Sequence, residues 1–125
     1  MSYDTSRKTQ SKLIEEFAGN TKEKTEGKKY DRGKPKVDLI PSAALLEVAK
    51  VMTFGAEKYG DHNWRSGMDW SRYTAAALRH ILAYNDGEDN DKESGINHIA
   101  HAIAGLMMLL EYNVKGVGND DRYKR

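Results

Sequence analysis

The sequence predicts an all-α fold: a small helical bundle of three main helices plus a short N-terminal helix, completed by homo-oligomerisation. Three observations carry this. Apolar residues recur at three- and four-residue spacing in three separate stretches, the signature of helical faces. No stretch of useful length alternates apolar and polar residues, and no hairpin signal or internal repeat is present. The third stretch is apolar nearly all round, so it must be surrounded. Two neighbouring helices do not suffice for that, and a second copy of the chain is the simplest remedy, as a homodimer or homotetramer.

The elements follow in chain order. Residues 1–29 are rich in Ser, Thr, Lys and Glu and read as a polar segment, solvated except for one short amphipathic turn at Leu13, Ile14 and Phe17. YDRGKPKVDLIP, residues 30–41, is punctuated by Gly33, Pro35 and Pro41 and reads as an ordered loop or short extended segment. Pro41 and Ser42 start the first main helix, with Pro in the first turn and Ser available as a cap. Its apolar face is Leu45, Val48, Ala49, Met52, Ala56 and Tyr59, and Gly60 stops it.

DHNWRSGMDWS, residues 61–71, is a loop with two tryptophans, and Trp70 is expected to anchor it to the core. Ser71 is a candidate cap for a second helix over 72–85, whose apolar stripe of Tyr73, Ala76, Ala77, Ile81 and Tyr84 includes His80. An acidic, turn-rich loop follows over 85–95. The third helix is expected from about Ile96 to Val114, with Ala102 and Gly105 allowing close helix approach. The domain proper is thus 30–114, and residues 115–125 form a polar tail expected to fray.

Composition narrows the function classes. The 125 residues fit one domain. Twenty basic and 19 acidic residues leave a net charge of +1, which gives no reason to expect a nucleic-acid polymer or a membrane as partner. The absence of cysteine excludes disulfides and thiolate zinc sites. No N-terminal apolar stretch resembles a signal peptide, and the longest apolar run falls short of the roughly 20 residues that span a bilayer.

The chemistry-bearing residues concentrate around the acidic loop. His98 and His101 lie one turn apart on the third helix, and His80 projects from the stripe of the second. The loop supplies Glu88, Asp89, Asp91 and Glu93. Imidazoles with carboxylates suit a divalent metal, so His80, Glu88, Asp91, His98 and His101 are the candidate metal residues. The alternative is that His98 and His101 are neutral core residues satisfied locally, and that Glu88 and Asp91 belong to a solvated loop. Lys34, Lys58, Arg65 and Arg79 are candidate phosphate holders. Asn63 and Trp64 could read and stack on a base, or Trp64 could simply anchor its loop.

Four ordered segments, YDRGKPKVDLIP, FGAEKYGDHNW, LRHILAYNDGED and ESGINHIAHA, resemble the phage-encoded dATP/dGTP diphosphohydrolases, a MazG-like group of all-α nucleotide pyrophosphohydrolases. The resemblance covers about residues 28–112. It implies hydrolysis of a purine deoxynucleoside triphosphate to monophosphate and pyrophosphate, with Mg²⁺ or Mn²⁺ as cofactor. It also implies a nucleotide ligand, a dimer or tetramer, and the cytoplasm of an infected bacterial host. On that reading Glu88, Asp91, His98 and His101 are catalytic. The chain departs from the MazG-like pattern in one respect. It has no E-x-x-E on the second helix, the one such spacing being Glu23 to Glu26 in the polar segment, and His98-x-x-His101 stands where E-x-x-D is expected. Either the histidines take over metal binding or the metal site is absent. The second case describes a non-catalytic oligomer that sequesters a nucleotide or a nucleotide-derived signal, a phage anti-defence sponge.

Overall fold

The computed structural model describes residues 27–124. The short helix expected at Leu13, Ile14 and Phe17 lies outside the described residues. The chain divides into two units, Met1–Ile40 and Pro41–Arg125. In the first, residues 27–40 form the expected loop: a turn closed from the Lys34 amide to the Asp31 carbonyl at 3.1 Å, then one 3-10 turn over Val37–Leu39. Lys34 is exposed there.

The second unit is all-α, as the periodicity predicts. It holds α1 (Ser42–Tyr59), a 3-10 turn (Asn63–Ser66), α2 (Trp70–Asn85) and α3 (His98–Lys115). Among the described residues, extended pairing is limited to two isolated bridges, Asp69 with Asn119 and Asn90 with Asn97.

Each helix begins where the local chemistry dictates. Pro41 sits just outside α1 with an extended ψ of 122°, so its carbonyl, not Ser42, opens the helix by accepting from Leu45. Gly60 ends α1 as expected. The α3 start is two residues later than the spacing suggests. Asn97 is the cap, and its side-chain oxygen accepts from the Ile99 amide at 2.8 Å.

Two expectations are corrected. Ser71 does not cap α2: Asp69 occupies that position and Ser71 lies inside the first turn. The tail expected to fray is instead tied down from Val117 to Asp121. The Trp70 amide donates to the Asn119 carbonyl at 3.0 Å and the Ser71 amide to the Asp121 carboxylate at 2.9 Å. The first N–H groups of a helix have no partner within it, and here the returning C-terminus supplies the acceptors. Trp70 fulfils its anchoring role in the same clasp, donating from Nε1 to the Val117 carbonyl at 2.9 Å.

α3 is the central element, packed on α2 along its length and on α1 more briefly. Val48 and Val51 of α1 meet Ala100 and Ala104 of α3 in the core, with Met52 and Ile96 at its edge. The small side chains of Ala102 and Ala104 and the hydrogen of Gly105 let the neighbours approach. Gly105 lies against the Tyr73 ring. The opposite stripe of α3, Ile99, Ile103, Leu106 and Leu110, stays exposed, up to 62% at Leu110.

Candidate functional site

The polar residues of the α2 and α3 stripes converge with the connecting loop. That loop is held by its own backbone. The Asp91 amide donates to Ile96 O at 2.8 Å, Gly95 to Asp91 O at 2.7 Å, and His98 to Asp89 O at 2.9 Å. These bonds turn Asp91 inward. The Ser94 amide then donates to Asp91 Oδ2 at 2.9 Å and fixes the carboxylate.

His80, Asp91 and His98 offer ligand atoms that all lie within 4.8 Å of one another. His80 Nδ1 and His98 Nδ1 are 2.8 Å apart, and His98 Nε2 is 2.7 Å from Glu88 Oε1. His101 stacks on His80 with ring centroids 4.5 Å apart and planes 11° apart. Its Nε2 is 2.6 Å from Ser94 Oγ and 4.0 Å from Asp91 Oδ2. The Phe54 ring meets His101 edge-on. His98 is 4% exposed.

Protonation follows from these surroundings. Burial, reinforced for both by a neighbouring imidazole, pushes the His80 and His101 pKa values down, so both rings are neutral near neutral pH. Burial alone would raise Asp91. The Ser94 amide and hydroxyl, with the imidazoles of His101 and His80, overcome that and hold it below the ordinary carboxylate value. Glu88 is lowered chiefly by its hydrogen bond with His98. Neutral imidazoles beside ionised carboxylates are the protonation states in which these side chains bind metal.

The cluster borders a cavity of about 700 Å³. Lys58 lines it from α1, Asn63 and Trp64 from the 3-10 turn, Arg72, Arg79 and His80 from α2, Asp91 and Glu93 from the loop, and His101 from α3. The sequence candidates thus mostly come together. Three stand apart. Glu88 touches His98 rather than the cavity wall. Arg65 is paired elsewhere, 3.0 Å from His62 and 3.8 Å from Glu111, with its guanidinium over the Trp64 ring. Lys34 belongs to the other unit. Trp64 is half-buried, tilted against the Tyr112 ring, and its carbonyl accepts from the Tyr112 hydroxyl, so it anchors its loop as well as lining the cavity.

Two contributors escaped the sequence reading. Ser94 ties Asp91 and His101 together, a role visible in sequence only as Ser three residues after Asp. Arg72 lies two helical turns before Arg79 on the cavity side of α2. Among the described residues, each Lys and Arg from Pro41 to Lys124 has a carboxylate ion-pair partner except Arg72 and Arg79. Both uncompensated cations line the same cavity.

A family model described as "dATP/dGTP diphosphohydrolase, N-terminal" matches residues 24–122. The chain belongs to this family. A curated relative, "dATP/dGTP diphosphohydrolase" of Salmonella phage PMBT28, is 38% identical over 96 residues. The match takes in 77% of this chain and 33% of the relative, so the chain spans about a third of that relative's length. No solved structure matches the chain. Among the described residues, no helix is long and apolar enough to cross a membrane.

Proposed function

We propose that this chain binds a purine deoxynucleoside triphosphate in the cavity and hydrolyses it, with a divalent metal, to the monophosphate and pyrophosphate. The observation that carries this reading is the placement of Arg72 and Arg79, without carboxylate partners, in the same cavity wall as His80 and Asp91. Two guanidiniums facing one cavity without a carboxylate partner suit a polyanion. The activity for which the family is named supplies the purine nucleotide.

His80, Asp91 and His98 fit a divalent cation by donor type and by spacing. Such an ion, when bound, polarises a phosphoryl oxygen and acidifies a water. The chain's own residues do the rest. Arg79, next to His80 on α2, and Lys58, which reaches Glu93 of the loop, hold the phosphates being separated, and Arg72 extends the positive wall along α2. Asn63 and Trp64 meet the base. Asp91 and His101 line the cavity beside the ion, both held in place by Ser94. Self-association through the exposed Ile99–Leu110 stripe of α3 belongs to the same reading, and light scattering after size exclusion reads it.

The test is product analysis by mass spectrometry with dATP, dGTP, dCTP and dTTP, in Mn²⁺ or in EDTA. The expected result is dAMP or dGMP with pyrophosphate, abolished by EDTA. Intact nucleotides in every metal overturn hydrolysis.

A further inference from the structure

We propose that His80 Nδ1, His98 Nδ1 and the Asp91 carboxylate form a two-histidine, one-carboxylate site selective for a first-row transition-metal dication over Mg²⁺. This deepens the hydrolase reading, and rests on it only for the claim that the ion serves catalysis.

The assignment starts from the His98 tautomer. Glu88 is ionised and accepts only, so the 2.7 Å contact places the His98 proton on Nε2. Nδ1, the ring nitrogen turned away from Glu88, is 2.8 Å from His80 Nδ1. Two ring nitrogens each about 2.1 Å from a shared ion lie about 3 Å or slightly more apart, so the cluster accepts an ion after opening by a few tenths of an ångström. A carboxylate receiving the other N–H of a histidine is the usual support for a metal-bound imidazole: it fixes the tautomer and the ring direction. Glu88 is therefore a positioning residue, acting through His98. Asp91 completes the set, held in place by the Ser94 amide and offering a carboxylate oxygen within 4.8 Å of the imidazole ligand atoms.

His101 falls outside this set despite its place one turn along α3. Its Nε2 is engaged by Ser94 Oγ, and its ring lies flat on His80. It walls the site and steers His80. The donor set decides the metal class. Mg²⁺ prefers carboxylates, water and substrate oxygens and releases its water reluctantly. Two imidazoles with one carboxylate suit Mn²⁺, Fe²⁺, Co²⁺ or Zn²⁺, with affinity rising along that row for nitrogen ligands.

The test uses the full chain, stripped with EDTA and titrated with Co²⁺ alone while its visible absorption is recorded. The expected result is ligand-field bands that saturate at one ion per chain, survive a large excess of Mg²⁺ and vanish with stoichiometric Zn²⁺. His80→Ala and Asp91→Asn lose the bands, and His101→Ala keeps them. Glu88→Gln keeps them with affinity weakened about 10–100-fold. Because His98 is buried, the variants are first compared with the parent by circular dichroism, and the competition experiment needs no variant at all. Displacement of Co²⁺ by equimolar Mg²⁺, or unchanged bands in His80→Ala, overturns the proposal. The two readings separate cleanly. Bands with the expected losses but no nucleotide cleavage overturn the hydrolase and support this site. Cleavage with bands that ignore His80→Ala does the reverse.

Discussion

Lys58, at the end of α1, reaches Glu93 of the α2–α3 loop at 2.5 Å, and both side chains line the cavity. Glu93 is the first cause of the raised Lys58 pKa. Both groups are substantially exposed, so the pair adds little to stability. Its consequence falls on ligand binding, since an incoming phosphate competes with Glu93 for the ammonium. Glu93→Gln is expected to lower KM for the nucleotide with kcat nearly unchanged, and Lys58→Ala to raise KM. Steady-state kinetics measures both. A raised KM in Glu93→Gln contradicts the competition.

Arg72 and Arg79 make a separate prediction. Each is expected to form charge-assisted bonds of about 1.5–3 kcal/mol with phosphate, so either Arg→Ala change weakens nucleotide binding about tenfold or more. Arg→Lys recovers only part, because the planar fork is lost. Neither cation has an ion-pair partner in the second unit, so the melting temperature is expected to stay put. Isothermal titration with a nucleotide, beside a thermal melt, separates loss of a contact from loss of the fold.

The histidines were readable in sequence because each is polar in an otherwise apolar stripe, and periodicity alone put His80 on the face that meets α3. The direction of Asp91 was not readable. It depends on the backbone bonds from Asp91 to Ile96 and from Asp89 to His98, which a run of Asp, Glu, Asn and Gly does not specify. Glu88 and Asp91, equivalent by composition, took different places: one against His98, the other at the cavity. Likewise Lys34, Lys58, Arg65 and Arg79 looked alike as isolated cations, and only their partners distinguish them. The C-terminal clasp escaped for a different reason, since Trp70 and Val117 are 47 residues apart and neither carries a local signal for the other.

That clasp is sharply testable at Gly118. A Cβ there would lie 2.6 Å from the Met68 carbonyl oxygen and 3.0 Å from Trp70 Nε1, on a backbone with φ of +80°. Gly116 is also left-handed, at φ +68°, but its Cβ would meet nothing within 4 Å. Gly116→Ala is therefore expected to cost only the left-handed strain of about 1–2 kcal/mol. Gly118→Ala adds a clash with backbone and is expected to cost more, with the start of α2 loosened. Urea denaturation of the two variants compares them. Equal losses would mean the tail does not hold α2.

Tyr73 predicts a pH effect away from the site. Its hydroxyl is 3.3 Å from that of Tyr112 between α2 and α3. Burial, then the bond to Tyr112, pushes its pKa well above the ordinary 10.0. Raised in the folded state, the group contributes stability that is fully present below the unfolded value. The unfolded chain releases the proton near 10.0 while the folded one keeps it, so stability falls as pH rises past that point. Tyr73→Phe removes this term and, at neutral pH, also a hydrogen bond of about 1 kcal/mol. Urea midpoints measured from about pH 8 to pH 11 are expected to drop more steeply for the parent than for Tyr73→Phe. The other tyrosines are common to both proteins and cancel in the comparison, so parallel curves would show that Tyr73 titrates as if exposed.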